Sequence, residues 1–216
     1  NLYYKIFFLK RVIRKYFGWI KVFIISLFSN SSLFFKHKIK RKSFDVLIIS
    51  HNLNLHSGNL HKDFYYGDIL NRLKIKKVNF LLGIFNHSQG NKNNFSKNSF
   101  PKIIFSKNIG FSGELKLRKK LNCALKNLKK KYKINKFSIF HKRILKSTMS
   151  EARSAGSILN LRVEEQVYTA IKKYDIKKII VTYEGYAWER FTFYGARRAN
   201  SKVVCIGYQH AAILKY

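Results

Sequence analysis

Short, continuous apolar runs alternate along this chain with longer stretches in which apolar residues recur every three or four positions. Residues 44–50 (FDVLIIS) are rich in branched side chains and suit a strand buried on both faces. Residues 78–85 (VNFLLGIF), 178–183 (KIIVTY) and 202–208 (KVVCIGY) read the same way, and 103–106 predicts a further short strand. Between them the period changes to that of a helix. Asp63 is placed to cap a helix carrying Tyr65, Ile69, Leu70 and Leu73. Residues 114–132 predict a basic helix whose apolar face is Leu115, Leu117, Leu121, Leu125 and Leu128. Thr148 and Glu151 have the spacing of a reciprocal capping box, opening a helix whose buried stripe runs through Ala152, Ala155, Leu159, Val163, Val167, Ala170, Ile171 and Tyr174. A last helix is expected over 187–199. Strands alternating with helices predict an α/β class, with a Rossmann-like, doubly wound parallel sheet.

The ends and loops complete the layout. The first 28 residues are rich in Phe, Ile, Leu and Tyr, but Lys5, Lys10, Arg11, Arg14, Lys15 and Lys21 interrupt every apolar stretch. No run reaches the ~20 residues a membrane span requires. Charge spread through the segment, without a small-residue cleavage site, argues against a signal peptide. An amphipathic helix lying in a membrane surface fits better, the plain alternative being a helix packed on protein. The basic tract 36–42 reads as a linker that could rest on anionic lipid. The expected organisation is a basic amphipathic helix and linker over 1–42 and a Rossmann-like domain over 43–216. The chain opens on Asn1 and stops at Tyr216 soon after an apolar run, so both ends read as cut.

Composition changes this picture in two ways. A formal charge of +34 over 216 residues attracts polyanions such as nucleic acid, anionic headgroups or phosphorylated substrates. Abundant Lys, Asn, Ile and Phe beside a single Pro equally fits a compositional bias that spreads lysine over every wet surface. Cys123 and Cys205 are far apart and form no CxxC pair, so neither a disulfide framework nor a zinc ribbon is expected, and a reducing, cytoplasmic compartment fits. His51, His56 and His61 recur at five-residue steps that do not share a helix face, and no metal site is expected from them.

Chemistry is expected beyond the carboxyl ends of the strands, where loops and helix N-termini converge. Three segments occupy such positions: 51–63, 184–190 and 209–212. In the second, Glu184 and Glu189 stand at a strand end and in the first turn of a helix, where carboxylates suit the positive helix end and would repel phosphate. Beside Tyr186 and Trp188 they offer hydroxyl-rich sugars bidentate acceptors and an apolar platform. The plain alternative is that Glu184 caps the helix, Trp188 is core, and Glu189 pairs with Arg190 or Arg197. His210, in Tyr208-Gln209-His210, is placed to act as a general base near neutral pH. No GxGxxG, P-loop, HExxH or nucleophile-elbow pattern occurs.

The run IVTYEGYAWERFTFYGARRAN followed by VVCIGYQHAAI resembles bacterial surface-carbohydrate biosynthesis proteins of the GT-B glycosyltransferase type, related to capsule and lipopolysaccharide transferases. In such sequences a strand ending in YEG, a helix opening with WER and a strand ending in GYQH recur together. FYYGDIL at 64–70, followed by VNFLLGIF, is also similar to the family's N-terminal half. The resemblance implies an enzyme with no tightly bound cofactor, whose N-terminal domain takes a glycan or lipid-linked sugar acceptor while a second domain takes the nucleotide-sugar donor. This chain corresponds to the acceptor side and ends at the junction, so that alone it is expected to be inactive. His210 is then the expected base and Glu184 the alternative. Tyr186, Trp188, Glu189, Arg190, Gln209 and His51 shape the cleft or hold the acceptor. The competing expectation is a non-catalytic basic module on nucleic acid or anionic membrane. Against nucleic acid stands the lack of any binding motif or basic-aromatic face.

Overall fold

The structure is a computed structural model that describes residues 2–27, 34–37, 39–52, 65–86, 100–134, 138–152 and 155–209. The elements in chain order are α1 (Leu2–Leu27), β1 (Phe34–His37), β2 (Val46–Asn52), α2 (Ile69–Ile75), β3 (Phe80–Asn86), β4 (Lys102–Phe105), α3 (Gly110–Ile134), α4 (Ile139–Glu151), α5 (Ala155–Lys173), β5 (Lys178–Thr182), α6 (Ala187–Ala199) and β6 (Val204–Tyr208). They fall into two compact units. One comprises Asn1–Ser32 with Lys107–Arg162, the other Leu33–Ser106 with Val163–Tyr216.

The second unit carries one sheet of order β1-β4-β3-β2-β5-β6. From β4 to β6 every pairing is parallel, and β1 joins β4 antiparallel at the edge. Every residue from Val46 to Ser50 is buried, as expected of a central strand covered on both faces. Because successive side chains point to opposite faces, the strands divide their apolar residues between two cores. Leu47, Ile49, Leu81 and Val181 meet Val167 and Ala170 of α5 and Ala196 of α6. Val46, Ile48, Leu82 and Ile104 meet Tyr66 and Leu70 on the α2 side. Helices on both faces of a parallel sheet make the fold a Rossmann-like, doubly wound α/β arrangement.

In the first unit α1 packs on α3, with the Phe23 and Phe111 rings 5.4 Å apart and the Arg118 guanidinium 3.9 Å above Phe23. Glu114 of α3 is buried and accepts from Arg162 Nε at 2.6 Å and Nη2 at 2.9 Å. Burial pushes the Arg118 guanidinium below its ordinary range, partly offset by Glu114 and reinforced by Arg162. No described helix is long and apolar enough to cross a membrane.

Several local expectations are corrected. Residues 34–37, within reach of the expected linker, pair as an edge strand, because β4 offered an unpaired ladder. Thr148 and Glu151 lie in the last turn of α4 and do not open a helix: Thr148 Oγ1 donates to the Ile144 carbonyl at 2.9 Å, the habit of a threonine inside a helix. Leu159 is 46% exposed and Leu115 44% exposed, while Ile158, Leu161 and Leu117 take the buried positions. Helix α2 begins at Ile69, after Asp68, leaving Tyr65 and Tyr66 in a turn ahead of it. Asp63 lies outside the described residues.

Candidate functional site

The order of the parallel strands reverses direction between β2 and β5, since the chain builds outward through β3 and β4 and then returns to the other side of β2. A crevice forms beyond the carboxyl ends of strands at such a point, where the crossover helices part. His51 stands at the end of β2, and the turn 183–186 follows β5. The structure therefore brings two of the expected segments to one place, although they are far apart in the chain.

The turn is built by one side chain. Glu189 is 1% exposed, and its carboxylate accepts from the backbone N–H groups of Glu184 at 2.9 Å, Gly185 at 2.9 Å and Tyr186 at 2.8 Å. Tyr186 is the N-cap of α6, so one carboxylate both ties the preceding turn and, at the third helical position, complements the helix dipole. Gly185 makes the bend at φ 92°, a conformation that costs an L side chain dearly. The alternative expectation, that Glu189 pairs with Arg190 or Arg197 on the surface, is thereby corrected. Its two oxygens face inward onto the N–H groups of the turn ahead of α6. Glu184 and Tyr186 are exposed on the turn so held, as are Arg190 in the first turn of α6 and Gln209 after β6.

Next to the turn, Trp188 is half-buried and meets His51 edge-on, with centroids 4.8 Å apart at 80°, and Phe85 at 5.4 Å and 74°. His51 and Phe85 are paired in the β2–β3 register and their rings lie 5.2 Å apart. Tyr65 adds a ring 5.4 Å from His51. Neither Phe85 nor Tyr65 is expected from sequence as a site residue. The signal that finds Phe85 is its place as the last apolar residue of the strand adjoining the one that ends in His51. A second aromatic pair, Tyr66 and Tyr208 at 5.1 Å, lies toward the other core, with Tyr66 Oη donating to the Ile49 carbonyl at 2.9 Å.

The arrangement is an aromatic shelf beside a rigid turn that presents a carboxylate. Apolar faces of saccharides lie on such rings, and their hydroxyl groups donate to carboxylates. His210, His56 and His61 lie outside the described residues, and with His210 lies its expected juxtaposition with Glu184. Among the described residues no group of His, Cys, Asp and Glu is arranged to hold a metal ion. Cys123 and Cys205 are free thiols, and burial pushes Cys205 up, against a smaller lowering by Arg197. No protein-family model, no curated protein and no solved structure matches this chain.

Proposed function

We propose that the second unit is the acceptor-side half of a glycosyltransferase, one that transfers a sugar from a nucleotide-sugar donor to a surface-polysaccharide or lipid-linked acceptor. The observation that carries this reading is the His51–Phe85–Trp188 shelf beside the Glu184 turn, at the reversal point of a doubly wound sheet. In this reading an acceptor sugar stacks its apolar face on Trp188 and donates its hydroxyls to Glu184 on the adjoining turn. In the transfer step one acceptor hydroxyl attacks the anomeric carbon, its proton passes to a base, and the nucleotide leaves with the electron pair of the broken glycosidic bond. His210 is the proposed base and Glu184 the alternative. The resemblance assigns the donor site to a second domain, so the residues above orient the acceptor and take its proton.

The reading also seats the chain at the inner face of the cytoplasmic membrane, where lipid-linked acceptors are found. Supporting this, α1 exposes a continuous apolar stripe among basic residues and contains no carboxylate.

Trp188 makes the test direct, because the chain has two tryptophans and the other, Trp19, can be changed to Phe. In the Trp19→Phe protein, titration with oligosaccharide acceptors should shift Trp188 emission saturably. Glu184→Gln should weaken that binding roughly tenfold, the worth of one charge-assisted hydrogen bond. A Trp188 signal indifferent to every glycan and lipid-linked sugar offered would remove the shelf from the proposal. In the complete protein His210→Ala should abolish glycan extension, and undiminished turnover would reject it as the base.

A further inference from the structure

Charge is divided unevenly between the two units. The first is the smaller, yet it holds 22 of the 44 lysines and arginines and only two of the ten carboxylates, Glu114 and Glu151. Glu114 is buried against Arg162, which leaves Glu151 as the carboxylate on that unit's surface. Exposed apolar surface is concentrated in the same place. Among the described residues, fourteen of the twenty large hydrophobic side chains that face solvent belong to the first unit. Single exposed apolar residues are ordinary, but gathered on one part of a molecule they mark a docking surface.

Helix α4 contributes a patch distinct from the stripe on α1. Ile139 is 73% exposed, Phe140 68% and Ile144 48%. Phe140 and Ile144 are one turn apart and share a side of the helix, with Ile139 at its margin. Leu145 and Met149 are likewise one turn apart, on a different side, and are half-buried. The Leu145 and Met149 side therefore packs on protein, while Phe140 and Ile144 stay uncovered. Lys142, Arg143 and Lys146 are exposed on the same helix, which holds no carboxylate before Glu151.

We propose that the first unit docks on an anionic lipid bilayer through α4 as well as α1, with Ile139, Phe140 and Ile144 entering the acyl boundary and Lys142, Arg143 and Lys146 meeting the headgroup phosphates. This rests on the reading that seats the chain at a membrane, and it gives that role to one unit and to a second helix. It is independent of the saccharide shelf, which belongs to the other unit. A basic surface alone would serve nucleic acid equally well. Eleven of the fourteen exposed side chains, however, are isoleucine or leucine, which offer a base no ring to stack on and which an acyl boundary buries. A second copy of the unit would bring the same positive charge to the contact.

The test uses phosphatidylglycerol vesicles with brominated acyl chains and the chain carrying Trp19→Phe with Phe140→Trp. The emission added by Phe140→Trp should be quenched on vesicle binding, because bromine quenches only rings among the acyl chains. An unquenched signal in vesicle-bound protein would leave α4 in water and overturn the proposal. Ile139→Asp with Phe140→Asp should lower the partition onto plain phosphatidylglycerol vesicles roughly tenfold. Its melting temperature should not fall, since both side chains are exposed and a carboxylate in the first turn of a helix suits the dipole. Ile75→Asp changes a side chain 78% exposed in the other unit. That control should stay within about twofold of the parent, and a loss equal to that of the α4 variant would reduce the effect to added negative charge. Full partition of the α4 variant beside a loss in Ile13→Asp with Phe17→Asp would reject α4 and leave α1 as the membrane contact. A single-stranded oligonucleotide held more tightly than the vesicles would assign the surface to nucleic acid instead.

Discussion

A carboxylate three residues into a helix usually has one side in water, whereas Glu189 is enclosed and gathers three backbone N–H groups of the turn before it. Its spacing from Tyr186 is that of the acidic half of a capping box, a signal present in the sequence. Glu189→Gln keeps the shape but replaces one accepting oxygen with a donor facing other donors. It should cost about 2 kcal/mol in chemical denaturation. Unchanged stability would show that the three bonds are replaceable by water. His51 is the converse case, since its strand-end position was legible but its ring neighbours were not. Phe85 comes from β3 on one side of β2 and Trp188 from the helix after β5 on the other, and only pairing brings them within ring contact.

Among the elements, the ones best read from the chain are those whose period is unambiguous. The helix expected over 187–199 is α6, and the strands β2, β3, β4, β5 and β6 all lie within two residues of the apolar runs that predicted them. Legibility fails where local chemistry allows two outcomes. Thr148 can cap a helix or bond back four residues within one, and the second won because α4 extends from Ile139. Helix α6 is held on α5 by a feature hidden in the YGARRAN run. A Cβ on Gly195 would come within 2.5 Å of the Glu164 carbonyl oxygen, so the two backbones touch. Arg198 then closes the contact, binding Glu164 at 2.6 Å and Glu165 at 2.7 Å with its guanidinium 4.2 Å above the Tyr168 ring. Burial disfavours its charge, but the Glu165 hydrogen bond and both carboxylates outweigh that and raise the guanidinium above its ordinary value. Gly195→Ala should therefore lower stability by about 3 kcal/mol, the cost of overpacking a rigid contact. A melting temperature within a degree of the parent would mean that α6 can shift without loss.

Across the molecule, net charge and exposed apolar surface act together. Ile6, Leu9, Ile13, Phe17, Ile20, Ile24 and Leu27 recur at three- and four-residue steps along α1, each between 45% and 67% exposed. Over the ~1.5 Å rise per residue they form a stripe roughly 30 Å long. A formal charge of +34 opposes covering that stripe with a second copy and favours an anionic bilayer. Phosphatidylglycerol vesicles should sediment the protein and phosphatidylcholine vesicles should not. Ile13→Asp with Phe17→Asp should reduce the partition at least tenfold, because two half-buried apolar side chains contribute on the order of 1 kcal/mol each. Equal sedimentation of that variant would leave scattered lysine charge as the sole cause of adsorption.

The chain by itself determined the α/β class, the sheet strands from β2 to β6 and the two segments that end at the crevice. Those features follow from the period of apolar residues and from the rule that ligand loops gather at strand carboxyl ends, both of which are local in sequence. Only the tertiary structure decided that β1 joins the sheet, that Glu189 faces inward, and that His51, Phe85 and Trp188 form one shelf. Each of these depends on which distant segments become neighbours. Strand pairing and burial settle that through interactions between residues that no spacing along the chain encodes.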